Sequence, residues 1–281
     1  MIKTVKIFLI ASLNMFFLCS CQTGHTDQSM AAQIIKHKQQ DQDAAQRYMS
    51  DGISYVSKGS IDKAIASFSR ALELDPENPF IYNFRGDAYL QKGQIEEAFS
   101  DFNRAIDLYS NNEFAYSGRG NAYMRKGQID EAISDYNKAI ALAPENVITY
   151  SYRGMAYARK GDIEGAISDF TRVLDLNPED GTVLNNLAWI LATCPDEKYR
   201  DGEKAIEYAE KLLNLKYTPE SLDTLAAAYA EAGRFEDAVK SQKTAVYFLK
   251  LAGASKDLLD IFIEHLDSYE ANKPWRENHQ E

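Results

Sequence analysis

The chain has 281 residues, 45% hydrophobic and 26% charged, with 42 acidic against 31 basic side chains and a formal net charge of −11. That length allows one or two domains with sizeable cores, and the composition is that of a folded chain. An acidic balance of this size argues against nucleic acid, whose binding is dominated by basic contacts to phosphate, and points to a protein or peptide partner.

The first twenty residues stand apart. Lys3 and Lys6 make a basic start, Ile7 to Leu18 is an apolar run too short to span a bilayer comfortably, and Leu18-Cys19-Ser20-Cys21 closes it. This is the layout of a secretory signal peptide over residues 1–20. Its last four residues resemble the bacterial lipobox, whose final cysteine is lipidated and becomes the new N-terminus. The resemblance implies Cys21 as the acceptor, since Cys19 follows the bulky Phe16, Phe17 and Leu18; an ordinary cleaved signal or an uncleaved anchor are the alternatives. Gln22, rather than Asp, is by the same resemblance the outer-membrane pattern. It places the protein at the cell envelope, on the periplasmic face of the outer membrane. With Cys21 acylated, Cys194 is the one thiol left, so no intramolecular disulfide supports the fold. Residues 21–44 hold no repeat and much Gln. They read as a polar tether, helical in its later part, either free or docked on the first repeat.

From Tyr48 the chain repeats itself. "YMSDGISYVSKGSIDKAIASFSRAL" returns as "YNFRGDAYLQKGQIEEAFSDFNRAI" from Tyr82, "YSGRGNAYMRKGQIDEAISDYNKAI" from Tyr116 and "YSYRGMAYARKGDIEGAISDFTRVL" from Tyr150, at a spacing of 34 residues. A fixed period of this size marks a solenoid. Tyr82, Arg85, Gly86 and Tyr89 share one face of a first helix, and Gly59, Gly93, Gly127 and Gly161 each stop such a helix. Ala98, Phe102, Ala105 and Ile106 share one face of a second helix, after which Pro76, Pro144 or Pro178 prevents continuation. The unit is an antiparallel helical hairpin.

These residues resemble the tetratricopeptide repeat. The aromatic, small, Tyr, Ala, aromatic, Ala and Pro positions are met by Tyr116, Gly120, Tyr123, Ala132, Tyr136, Ala139 and Pro144, with departures at Ser110 and Val173. The resemblance implies an all-α, right-handed solenoid with four regular units over 45–180. Glycine within a helix costs about 1 kcal/mol relative to Ala. Its recurrence at Gly52, Gly86, Gly120 and Gly154 is read as room for the facing Ala64, Ala98, Ala132 and Ala166. The tripeptide Arg85-Gly86-Asp87 recurs as Arg119-Gly120-Asn121 and Arg153-Gly154-Met155, so it is repeat register and not an adhesion signal, which needs an exposed loop. Units two to four pair Arg85, Arg119 and Arg153 with Asp101, Asp135 and Asp169, while unit one lacks both. That predicts an Arg–Asp pair within each hairpin, or one shared between neighbours.

Beyond Gly181 the pattern loosens into two divergent units over 181–252. Leu184, Leu187, Ala188 and Leu191 make a first helix, "TCPDEKYRDG" lengthens the turn, and Ala205, Ala209 and Leu212 make the second helix. Leu222, Leu225, Ala226, Tyr229, Gly233, Ala238 and Ala245 restore the pattern, with Gln242 where an aromatic belongs. Over 253–281, Leu258, Leu259, Phe262 and Leu266 predict a capping helix, followed by a tail.

Residues that would carry chemistry are scarce. No histidine lies inside a repeat or at metal-ligand spacing with Cys194, and no phosphate loop, nucleophile elbow or zinc motif occurs, so the reading is of no enzyme and no cofactor. Cys194 is expected buried at a helix end. What remains is a surface. By resemblance the first helices line a concave groove, whose variable positions here are Met49 and Ile53, Asn83, Asp87 and Leu90, Ser117, Asn121 and Met124, and Ser151, Met155 and Ala158, with Arg125 and Arg159 at the rim. Asn side chains can bond an extended backbone and Met adapts to varied side chains. The lysines of the family's carboxylate clamp are missing from these positions. The expectation is a membrane-tethered scaffold for a protein or peptide partner. An assembly factor for a pilus or secretion machine and a peptide-sequestering module are the alternatives, and Met124 and Met155 would equally support self-association.

Overall fold

The computed structural model describes residues 26–277. The signal peptide and Cys21 lie outside the described residues. Among those described, the regular elements are thirteen α-helices and one short 3-10 turn, without a strand. No described helix is long and apolar enough to cross a membrane.

Two compact units divide the chain, one up to Ala88 and one from Tyr89. In the first, helix α1 runs Thr26–Ser57 and packs on α2, Ile61–Leu74. The boundary expected at residue 45 is not a break, because α1 passes through it. The reason is local: no Gly or Pro interrupts residues 26–51, and Ala, Gln and Lys favour helix. Residues 32–40 are exposed, so they do not dock on the first repeat; partial burial starts at Asp41 and Ala44 and full burial at Ala45. Helix α3 spans Pro79–Lys92, which puts Arg85-Gly86-Asp87 in mid-helix, as the repeat register requires.

The second unit holds α4 (Ile95–Leu108), then the hairpins α5/α6 (Glu113–Arg125, Ile129–Leu142) and α7/α8 (Val147–Lys160, Ile163–Leu176). Two more come after them, α9/α10 (Gly181–Thr193, Gly202–Leu215) and α11/α12 (Pro219–Glu231, Phe235–Leu251), and α13 (Lys256–Glu270) packs on α12. The glycines between paired helices do what the sequence predicts: Gly59, Gly93, Gly127, Gly161 and Gly233 take φ between 68° and 82°, which side chains resist. Side-chain caps start some of the helices, as where Asn112 accepts from the Ala115 N–H and Asn146 from Ile148 and Thr149, whereas α2, α4, α6 and α12 begin without one.

Each regular second helix buries a small–aromatic–small stripe: Ala64-Phe68-Ala71, Ala98-Phe102-Ala105, Ala132-Tyr136-Ala139 and Ala166-Phe170-Val173 are all 1% exposed or less. Burying each ring contributes about 2–3 kcal/mol. The structure corrects the reading of the mid-helix glycines. What fills the space opposite them is the ring and not the alanine. A Cβ on Gly120 would stand 2.6 Å from Cε1 of Tyr136, and one on Gly154 would stand 2.6 Å from Cε1 of Phe170, while Gly52 meets Phe68 in the same way. The ring lies flat against bare helix backbone, and a methyl group has no room there.

In the divergent half, the lengthened turn is built as expected, with a 3-10 turn at Glu197–Tyr199. Arg200 fastens it, donating from Nη1 to the Cys194 and Pro195 carbonyls and from Nε to Glu231 at 2.9 Å. Gly202 is needed there, because a Cβ would press on the Ala232 backbone nitrogen at 2.6 Å. In α13 the buried stripe is Phe262, His265 and Tyr269, whereas Leu266 is only half-buried. The cap therefore buries a polar residue in its seam.

Candidate protein-binding face

The arginines come first, because they decide what the first helices have left for a partner. Arg119 donates from Nε and Nη2 to both carboxylate oxygens of Asp135, at 2.6 and 2.9 Å, and Arg153 does the same to Asp169 at 2.8 and 2.7 Å. The third arm of each reaches back to the preceding second helix, to Asn103 Oδ1 and Asn137 Oδ1, both at 2.6 Å. Arg85 makes that reach to Ser69 at 3.0 Å. The Arg–Asp pair therefore lies within its own hairpin, and the alternative of a pair shared between neighbours does not hold for Arg119 and Arg153: the remaining nitrogen staples the hairpin before it through an asparagine. Hydrogen bonding to the carboxylates raises the pKa of Arg119 and Arg153 still further, so these charges are permanent. Such side chains are committed to structure.

The predicted groove positions divide three ways. Ser117, Asn121, Met124, Ser151 and Met155 are half-exposed on α5 and α7, and Arg125 is open. Asn121 is already oriented, since its Oδ1 accepts the Tyr136 hydroxyl at 2.7 Å, which leaves the amide as a donor. Burial pushes the Tyr136 phenol well above its usual range, so that bond persists. Asn83 is a correction: it is 5% exposed and engaged within the fold, because a buried amide must find its partners there. Asp87 keeps solvent contact, yet protein around its carboxyl strips part of its hydration and pushes its pKa up to about 6. The water that still reaches it keeps the energetic weight of that shift small.

Counting on by the same period carries the face further than the predicted positions, which end in unit four. Met155 is succeeded after 34 residues by Trp189 on α9, and Arg159 by Thr193. In the restored register of unit six, Asp223 on α11 stands where Ser117 and Ser151 do, and Glu231 where Arg125 and Arg159 do. A cavity of about 370 Å³ opens on this line, bounded by Met155, Arg159, Ile163, Trp189, Thr193 and Glu277. Cys194, buried at the end of α9 as expected, lines its floor, and burial raises its thiol pKa.

Gln242, where the repeat has an aromatic, lies in this half. It is fully buried and donates from Nε2 to Asp223 at 2.7 Å and to the Phe262 carbonyl at 2.9 Å. Asp223 Oδ1 also stands 2.8 Å from His265 Nδ1, which accounts for the polar residue in the cap. The tail is docked as well. Trp275 lies 4.6 Å from the His265 ring, Arg276 meets Glu231 at 2.6 Å, and the Trp189 indole donates to Glu277 at 2.7 Å. Sequence reasoning missed these residues because a tail without periodicity gives no signal, although Trp189 was reachable by counting.

Among the described residues no group of His, Cys, Asp and Glu is placed to hold a metal ion. The family description "TPR repeat" matches residues 52–93, 86–127 and 120–161, and "Tetratricopeptide repeat" matches 147–180. Residues 52–180 are tetratricopeptide repeats. The chain is similar to the structure of Pseudomonas aeruginosa pilF, at 18% identity and a TM-score of 0.68, over 83% of this chain and 99% of that one. It is similar to YrrB, a tetratricopeptide-repeat protein with an unusual peptide-binding site, at 20% identity and a TM-score of 0.57 over 71% and 98%. It is also similar to the Cut9-Hcn1 hetero-tetramer of APC/C, at 19% identity and a TM-score of 0.66, over 80% of this chain and 42% of that one. At these identities the likeness shows the fold, an all-α tetratricopeptide solenoid. No curated protein matches the chain. Proteins of this repeat are protein-interaction scaffolds, typically without catalysis.

Proposed function

We propose that this protein is a membrane-tethered scaffold that receives a protein or peptide partner on its first-helix face at the bacterial cell envelope. Lipid on Cys21 would hold it at the periplasmic side of an outer membrane, and two or more acyl chains suffice for stable anchoring. One observation carries the reading of the face. On α5 and α7 the repeat's structural positions are buried or paired, while Ser117, Asn121, Ser151 and Met155 between them stay accessible. An extended segment laid there meets an oriented amide donor, small hydroxyls and an adaptable thioether.

The test is an in-cell crosslinking pull-down of the full-length protein against a Ser117→Arg/Ser151→Arg variant, which fills the face at two half-exposed positions and whose helical circular dichroism is checked because Ser117 accepts from the Thr149 hydroxyl. A partner captured by the first and lost from the second supports the reading; capture by both moves the working face elsewhere. Cys21→Ser should release the protein from membranes. A second reading, an assembly factor for an envelope machine such as a pilus or secretion system, is supported only by fold likeness to pilF over nearly all of that chain. It predicts loss of surface fibres or of secretion on deletion.

A further inference from the structure

The segment after α13 is folded back onto the positions that succeed the groove in register. Arg276 sets its guanidinium against the Glu231 carboxylate at 2.6 Å and the Ala192 carbonyl at 3.3 Å. The Glu277 N–H donates to the Thr193 carbonyl at 3.1 Å, and its carboxylate takes the Trp189 indole N–H at 2.7 Å. Trp275 rests 4.6 Å from His265, which Asp223 holds in turn. Trp189, Thr193, Glu231 and Asp223 are the register successors of Met155, Arg159, Arg125 and Ser151. Apart from the Trp275 ring, which rests on His265 of α13, the contacts are therefore made at one repeating set of positions, the same set that makes up the partner face. They are those a peptide ligand makes: backbone to a helix end, a cation to a carboxylate, a carboxylate to an indole, and a ring against a ring. The cavity that Glu277 lines reaches on to Met155 of the preceding repeat.

We propose that residues 273–277 are an intramolecular ligand, occupying in cis the part of the face formed by α9 and α11. The external partner that fits there is an extended peptide carrying an aromatic residue, then an arginine, then an acidic residue. This rests on the first-helix face being the receiving one. A tethered segment acts at an effective concentration in the millimolar range, so a free peptide of ordinary affinity does not displace it unaided. Partner binding is thereby coupled to release of the segment.

A fluorescein-labelled peptide of sequence ANKPWRE, copied from residues 271–277, is titrated by polarisation into three proteins: the full chain, the full chain with Arg276→Ala and Glu277→Gln, and a chain ending at Ala271. The expected result is binding at least tenfold tighter to both altered chains than to the unaltered one. Trp189→Phe in the shortened chain should weaken it at least fivefold, and exchanging Arg and Glu in the peptide should do likewise. The inference is overturned if the altered chains keep their helical circular dichroism and bind no better than the full chain. It is equally overturned if the shortened chain loses that signal, for then the segment is a strut. A pull-down that captures no partner, with the peptide bound as expected, would defeat the proposed scaffold role and leave this inference standing.

Discussion

Units one to four and the two units after residue 180 solve the same packing problem with opposite side chains. In the regular half a bare glycine on the first helix meets a ring sixteen residues later, as with Gly52 and Phe68, Gly120 and Tyr136, or Gly154 and Phe170. In the divergent half the first helix carries Ala188 or Ala226, and the residue sixteen on is no longer aromatic at 242, where Gln stands. At Ala209, reached after the lengthened turn, the ring is also gone. The pair changes together because it is one volume. A methyl group on the first helix removes the slot the ring lies in, and the space that is left admits a slimmer side chain. In unit six that side chain is polar, and it joins α11, α12 and α13 through Asp223, Phe262 and His265.

The largest way to break the regular half is through its arginine staples. Asp169→Asn leaves Arg153 without its forked carboxylate at a side chain only 5% exposed, and should cost about 2–4 kcal/mol in urea unfolding. Next is the test of exchange itself. Gln242→Phe puts a ring against Ala226 and strands Asp223, for about 2–4 kcal/mol. Adding Ala226→Gly should restore part of it, and a double-mutant cycle without coupling would refute the shared-volume account. Gly120→Ala gains helix propensity but drives a methyl into Tyr136, with a net loss of about 1–2 kcal/mol.

The smallest effect is one of pH. The Asp87 pKa is raised to about 6 in the folded state, so the fold holds a proton that the unfolded chain has already released. Stability then falls as pH rises from about 4 to 6 and stays lower above that range. Asp87→Asn should remove this slope and stabilise slightly at neutral pH, by less than about 1 kcal/mol because water reaches the group. Thermal melts at pH 4 and pH 7 read it directly.

How much could be read without coordinates depends on whether a feature leaves a period. The hairpins, their glycine stops and the Arg–Asp pairing are all written in residues that return every 34 positions, and unit one's joint lack of Arg and Asp made the pairing visible. The third arm of the arginines was hidden, because Asn103 and Asn137 look like any exposed polar residue. The glycines were recognised as special but assigned to the alanines, since a flat ring and a small side chain both demand a close approach. Helix was expected in the later part of the Gln-rich stretch, but its unbroken run through residue 45 into the first repeat was not. Of the proposed face, the accessibility of Ser117, Asn121, Ser151 and Met155 was legible from register, the burial of Asn83 was not because burial is a tertiary property, and residues 273–277 gave nothing, since an extended segment has no pattern until something receives it.

The chain contains two tryptophans, and both lie at the docked segment: Trp189 receives Glu277, Trp275 belongs to the segment, and the imidazole of His265 stands within 5.6 Å of each ring. The protein's tryptophan emission, excited at wavelengths its 17 tyrosines do not absorb, is therefore an optical readout of one place alone. Its colour and quenching report whether that place is closed or open, without any label attached.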